Sequence, residues 1–266
     1  MSYSPPKKNR RIGNSTTTSE FGKSELIDQP QPDSQSKLLQ FSDDVLLLIL
    51  KNLKSPDLWA LSQSCRRLKA LCFTESLWIV VDLSNHPMDL SETKKCLDYL
   101  NNKTKTLTLE GYLKTIGQYV NISKDLLSDI SQNCENLTTL KLNNFFYHGE
   151  RIKFRMFPKQ LKHLSLAGSV VVNLPGNDEI YFKKIHISLP KLEILDLSGC
   201  GWVSNHSLMG ICKLEHLKEL NLKGCSKIGE FYGATALTLR FGFKCIEKID
   251  LVDTEIWIPE LGSLGR

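Results

Sequence analysis

No Cys-x-x-Cys pair occurs among the eight cysteines of this chain. That removes the commonest zinc and redox spacings. No apolar run approaches the ~20 residues a membrane helix needs, and no apolar h-region follows the start, so no signal peptide is expected. Free buried thiols are then the better reading of the cysteines. The five Asn-x-Ser/Thr sequences, such as Asn14-Ser15-Thr16 and Asn205-His206-Ser207, become chance matches. An excess of one charge is missing too. Net charge is +5, and Lys7, Lys8, Arg10 and Arg11 supply four of those charges. The rest is near balance, so neither nucleic acid nor a membrane is an expected partner. A complete phosphate loop is also absent. Gly22-Lys23-Ser24 has the ending, but Thr17 stands where the motif needs glycine and no strand pattern precedes it.

What is present is an ordinary apolar and charged content over 266 residues, enough for one or two domains with a real core. Residues 1–37 are the exception. They are rich in Ser, Thr, Pro, Gln and charge, and cannot offset the entropy of folding. They read as a disordered tail, and Pro5-Pro6-Lys7-Lys8-Asn9-Arg10-Arg11 reads more simply as solvated than as a nuclear-import patch. Residues 38–78 read as a three-helix module. A first helix runs from about Asp43, as N-cap, to Leu53. Its Val45-Leu46-Leu47-Leu48-Ile49-Leu50 core is apolar all round. Such a helix must be covered on two sides, and the second cover is expected to be another protein. Ser55-Pro56-Asp57 starts a second helix with Ser55 as N-cap. It carries Leu58, Leu61, Ser62 and Cys65 on one face. A third holds Leu68 and Cys72, and Leu77-Trp78 closes the module.

From Trp78 onward an apolar-x-x-apolar-x-apolar pattern repeats. It is clearest at Leu137/Leu140/Leu142, Leu161/Leu164/Leu166, Leu192/Leu195/Leu197 and Leu217/Leu220/Leu222. Weaker copies lie at Trp78/Val81/Leu83, Thr104/Leu107/Leu109 and Ile246/Ile249/Leu251. First positions are 26, 33, 24, 31, 25 and 29 residues apart, in or near the leucine-rich-repeat range. Strand alternation sends these side chains inward and their neighbours outward. Helical segments lie between, one capped by Ser123 and burying Leu126, Leu127 and Ile130, another carrying Leu208, Ile211 and Cys212. No unit buries its own apolar face alone; stacking does. The expected fold is α/β: a three-helix module at 38–78, then a solenoid at 79–266 with parallel strands on its concave face and helices on its convex face.

These two pieces together resemble the F-box/leucine-rich-repeat family. The F-box pattern matches at Asp44-Val45-Leu46-Leu47, Ile49, Leu53, Asp57-Leu58, Cys65-Arg66 and Leu77-Trp78. The repeats look like the cysteine-containing subtype, with Cys134-x-x-Leu137 and Gly-Cys at Cys200 and Cys225. A narrower likeness, to one member, runs through Val81-Asp82-Leu83, Gly111-Tyr112-Leu113 and Cys134-x-Asn136-Leu137. The resemblance implies a non-catalytic substrate receptor of an SCF-type ubiquitin ligase, without cofactors, acting inside the cell in cytoplasm or nucleus. The F-box docks on a Skp-type adaptor, and through it a cullin scaffold, while the repeats hold a protein substrate for ubiquitin-dependent breakdown. Two departures stand out: Phe41-Ser42 replaces the usual Leu-Pro, and Leu68 replaces a Trp.

The expected adaptor contacts are Phe41, Ser42, Leu46, Leu47, Leu50, Leu58, Leu68 and Trp78, with Val45, Leu48, Ile49 and Leu53 turned inward. The expected substrate contacts are outward strand positions: Lys141, Asn143, His163, Ser165, Asp196, Glu219, Asn221, Lys223, Lys248 and Asp250, flanked by Thr139, Ile194 and Ser198. Phe145-Phe146-Tyr147-His148, near Arg151, Lys153, Phe154 and Arg155, is either an aromatic-cationic hot spot or core filling. The inserted stretch 170–187 is a further candidate. Cys200, His206, Cys212 and His216 could suggest zinc, but Cys200 and Cys225 occupy the repeat's own cysteine position as small buried hydrophobes. A repeat scaffold working outside a cullin ligase is the alternative function, and a thiol or zinc enzyme is the least supported.

Overall fold

The computed structural model describes residues 36–85, 90–113, 117–174, 178–229, 238 and 242–256. The tail expected over 1–37 lies outside the described residues except for its last two, as do the basic patch at 7–11 and the closing segment 257–266. The chain divides into two units, Met1–Phe41 and Ser42–Arg266. The described part of the first holds a 3-10 turn, Lys37–Gln40, with nothing buried.

The second unit opens with three short helices. Helix α1 (Asp43–Leu50) is flanked by Ser42, so Asp43 is its first residue rather than its cap. Asp43 and Asp44 still stand at the positive end of the helix dipole. The helix ends three residues earlier than expected. The Asn52 and Leu53 amides turn back to the Ile49 and Leu50 carbonyls at 3.0 and 3.1 Å, tightening the chain into a turn. Helix α2 (Ser55–Ser62) takes Lys54, not Ser55, as its cap residue. The buried Ser55 hydroxyl is committed elsewhere. It donates to the Val80 carbonyl and accepts from the Asp82 amide, both at 3.3 Å. Those two groups lie along strand β1 (Val80–Asp82), an end strand of its sheet. Unpaired edge groups invite foreign strands, and Ser55 occupies them. Helix α3 (Arg66–Cys72) starts at Cys65, whose sulfur accepts the Leu68 amide at 3.5 Å.

Strands β2 (Thr106–Glu110), β5 (Thr139–Asn143), β7 (His163–Ser165), β9 (Ile194–Asp196), β10 (Glu219–Asn221) and β11 (Lys248–Asp250) follow β1 in one seven-stranded sheet. Neighbours pair in chain order and all in parallel. The register places Val81, Leu107, Leu140, Leu164, Leu195, Leu220 and Ile249 in one row. All but Ile249 are buried. A second buried row follows two residues on, through Leu83, Leu109, Leu142, Leu166, Leu197 and Leu222. Thr104 sits where later copies carry leucine. Its hydroxyl donates to the buried Trp78 carbonyl at 2.8 Å, so the polar group is satisfied.

Between the strands lie helices α4 (Leu90–Leu97), α5 (Lys124–Asn133), α6 (Asp178–Phe182), α7 (Ile185–Ser188) and α8 (Asn205–Ile211). Ser123 caps α5 as expected, accepting the Leu126 amide at 3.1 Å, and Leu126, Leu127 and Ile130 are buried. Ser204 opens α8 with a capping box. Leu208 and Ile211 are buried there, while Cys212 is only half-buried. Short pairs complete the structure: β3 (Tyr112–Leu113) with β4 (Gln118–Tyr119), and β6 (Phe146–His148) with β8 (Val170–Val172). One hydrophobic cluster runs from Leu50, Leu58, Cys72 and Trp78 through the sheet to Ile228, so the helices share a core with the strands.

Candidate functional site

The first helix shows one covered face and one exposed face. Leu46 and Leu50 are each 1% exposed, whereas Val45 is 39%, Leu48 61% and Ile49 38% exposed. The expected orientation is therefore reversed. Leu46 and Leu50 fill the interior, with Leu47 and Leu53 half-buried against the core. Leu58, Leu68 and Trp78 are buried as well and offer no surface to an adaptor. Trp78 is held from both ends: its Nε1 donates to the Cys72 carbonyl at 2.6 Å, and its own carbonyl receives Thr104. Of the expected adaptor residues, Ser42 is exposed, and Phe41, in the first unit, is about half exposed. A sequence signal for the true outer face did exist. Asn52, polar, continues the Val45/Leu48/Ile49 face by one turn, while Leu53 continues the Leu46/Leu50 face.

Ser62, the polar break on the apolar face of α2, is satisfied by one local and one distant partner. Its hydroxyl donates to the Trp59 carbonyl at 2.6 Å and accepts from Tyr99 Oη at 2.9 Å. Tyr99 in turn stacks on Phe73, centroids 4.3 Å apart. Leu68, at the position of the departure from Trp, is buried. At Ser42 the backbone keeps φ −65°, the angle a proline would impose.

The outer face of the sheet carries the expected substrate positions, and they serve two purposes. At one row of strand ends a side-chain oxygen accepts the amide two residues on. Asp82 does so from Ser84 at 2.9 Å, Asp196 from Ser198 at 3.0 Å, Asn221 from Lys223 at 3.1 Å and Asp250 from Val252 at 3.0 Å. Ser165 makes the long version to Ala167 at 3.4 Å, is buried, and donates to Asn143 Oδ1 at 2.7 Å. These groups close the turns after their own strands, so their polarity has a structural cause. A shallow cleft of about 190 Å³ gathers His163, Asp196, Glu219, Asn221, Lys248 and Asp250 with Ile194. Lys141 and Ser165 lie outside its lining. Asn143 and Lys223 line a second hollow, with Gly168, Gly199 and Gly224. Burial, and then the Lys141 ammonium, push the His163 imidazole below its ordinary pKa, with Asp196 and Glu219 pulling back. Glu219 and Lys248 face each other as an ion pair in the cleft, at 3.9 Å.

The Gly-Cys steps have a shared geometry. Gly199 and Gly224 take φ +69° and +72°, which a side chain resists. The next thiols then donate to carbonyls of the preceding strand segment, Cys200 to Leu166 and Cys225 to Leu197, each at 3.1 Å. Burial pushes Cys200 and Cys96 up to about 12 and Cys134 and Cys225 up to about 11. An activated nucleophile needs the opposite shift. Among the described residues no three His, Cys, Asp or Glu side chains come together as metal ligands. Phe145, Tyr147 and Phe154 are buried and fill the core, while Phe146 and His148 are half-buried. Phe154 packs on Tyr181 and Phe182, and Phe182 stacks on Trp202 at 5.6 Å and 7°.

Residues 43–84 match the F-box-like family. Over 194 residues, 73% of this chain, the sequence is 27% identical to F-box/LRR-repeat protein 12 of Homo sapiens. That is the member whose narrower likeness runs through Val81-Asp82-Leu83. The aligned part spans 58% of that protein's length. Among the described residues no helix is long and apolar enough to cross a membrane.

Proposed function

We propose that this chain is the substrate-receptor subunit of an SCF-type ubiquitin ligase. Residues 38–78 form its F-box, and 79–266 form a leucine-rich-repeat solenoid. The observation that carries the reading is the Val45, Leu48 and Ile49 surface on α1, inside the segment that matches the F-box-like family. Adjacent exposed apolar side chains on a short helix are poorly solvated, and a partner that covers them gains their burial. A Skp-type adaptor is that partner, with Ser42 and Leu47 at the margin of the contact and a cullin scaffold beyond it. The strand face, centred on His163, Glu219, Lys223 and Lys248, receives a protein substrate. The side chains tied into turns, Asp196, Asn221 and Asp250, present their remaining oxygens there. The chain itself performs no chemistry.

Co-expression with and without a Skp-type adaptor tests this reading. A soluble one-to-one complex, and much less soluble chain without the adaptor, is expected. A monodisperse chain indifferent to the adaptor would count against the F-box assignment. Ubiquitylation in a reconstituted ligase then separates a receptor from a scaffold that works outside a cullin complex.

A further inference from the structure

A groove of about 530 Å³ lies between the 3-10 turn Phe154–Met156 and helices α6 and α7. Its apolar lining is Phe154, Ile180, Tyr181 and Ile187. Ile180 is 53% and Ile187 63% exposed. Single exposed isoleucines are ordinary, but two over an aromatic floor in one groove form a patch that favours a cover. Four cations stand around it: Lys153 and Arg155 from the turn, Lys183 and Lys184 from the link between the helices. Among the described residues none of the four makes an ion pair with a carboxylate, whereas Lys103, Lys162, Lys218 and Lys244 each have one. Lys153 donates instead to the Gly149 carbonyl at 2.8 Å and lies 5.8 Å over the Tyr181 ring.

We propose that this groove binds an acidic peptide segment. A large apolar side chain of the peptide seats against Ile180 and Ile187, and its flanking carboxylates face the lysines and arginine. Charge complementarity selects the occupant. The cations come from two separate elements, so an amphiphile with one headgroup answers only one pair of them. A peptide with carboxylates on both sides of its apolar residue answers both. Exposed cations steer such a segment and tune its on-rate, and the apolar seat sets how long it stays. The surface is separate from both α1 and the strand cleft, so the proposal stands independently of the adaptor reading.

The test is fluorescence anisotropy of the labelled peptide Asp-Glu-Phe-Leu-Glu-Asp against the full chain, in complex with adaptor if that is its soluble form. Saturable, salt-sensitive binding is expected. It should weaken at least about tenfold in Lys183→Glu/Lys184→Glu and in Ile187→Asp. All three positions are exposed, so melting temperatures should not move, which separates loss of the groove from loss of the fold. A peptide with Ser in place of Phe and Leu should bind at least about tenfold more weakly. Equal binding of the Ser peptide would reduce the site to non-specific charge. Unchanged binding in both variants would place the peptide elsewhere, and no saturable binding would end the proposal. Binding of phosphatidylserine vesicles but not of the peptide, lost in Lys183→Glu/Lys184→Glu, would assign the patch to a lipid surface instead.

Discussion

Replacing Leu48 by Asp should leave the fold intact and abolish adaptor capture, while replacing Leu46 by Ala should do the reverse. The magnitudes follow from burial. Leu46 is 1% exposed, and truncating a buried leucine costs about 2–5 kcal/mol. Leu48 is 61% exposed, so an aspartate there loses little packing. At the interface the sign inverts. Val45, Leu48 and Ile49 together present roughly one and a half side chains of uncovered apolar surface, worth about 2–4 kcal/mol when buried. That corresponds to roughly 30- to 700-fold in affinity before association costs. An aspartate in their midst adds an unpaired charge to a dry contact. The assay pairs thermal melts with adaptor co-purification at a temperature below every midpoint. The expected pattern is wild-type melting without capture for Leu48→Asp, and a lowered midpoint with retained capture for Leu46→Ala. Leu48→Asp retaining full capture, or melting as low as Leu46→Ala, would refute the assigned outer face.

Gly210→Ala in α8 should destabilise by about 1–2 kcal/mol although helix propensity favours alanine by about 1 kcal/mol, because the new methyl would meet Phe182 Cβ at 2.7 Å and its backbone at 2.8 Å. Gly201→Ala, with nothing within 4 Å, is the neutral control, and urea unfolding compares the two. Ser42→Pro should stabilise by about 0.4–1 kcal/mol in a thermal melt, since φ is already −65° and no hydrogen bond of the residue's side chain caps the helix. A thiol reagent at pH 8 should label the exposed Cys245 first, and buried Cys96, Cys134, Cys200 and Cys225 only as fast as the chain opens. Peptide mapping after timed labelling reads that order.

The strand rows were legible in the amino-acid sequence because their cause is local. Leucines spaced three and two apart, alternating with polar side chains, suit a parallel strand with one face inward, and the same three positions recur down the chain. The register row from Val81 to Ile249 follows that spacing. Ser123 as a helix cap was legible for the same reason, since a cap acts within four residues. The F-box-like segment was legible as a pattern of residue types, but its exposed face was signalled only at its end, by polar Asn52 and apolar Leu53. In α1 every position from Val45 to Leu50 is apolar, so composition within the helix could not orient it, and packing against α3 and the core did. Ser55 fits a cap by type, yet a strand 25 residues away claims its hydroxyl. Asp196, Asn221 and Asp250 look like a recognition surface, yet each holds its own turn. The aromatic run at 145–148 carried two readings, and only the folded chain shows Phe145 and Tyr147 buried in the core. Backbone propensity and periodicity are written in neighbouring residues. Which face is dry, which hydroxyl is taken and which cation lacks a partner depend on groups that meet only when the chain folds.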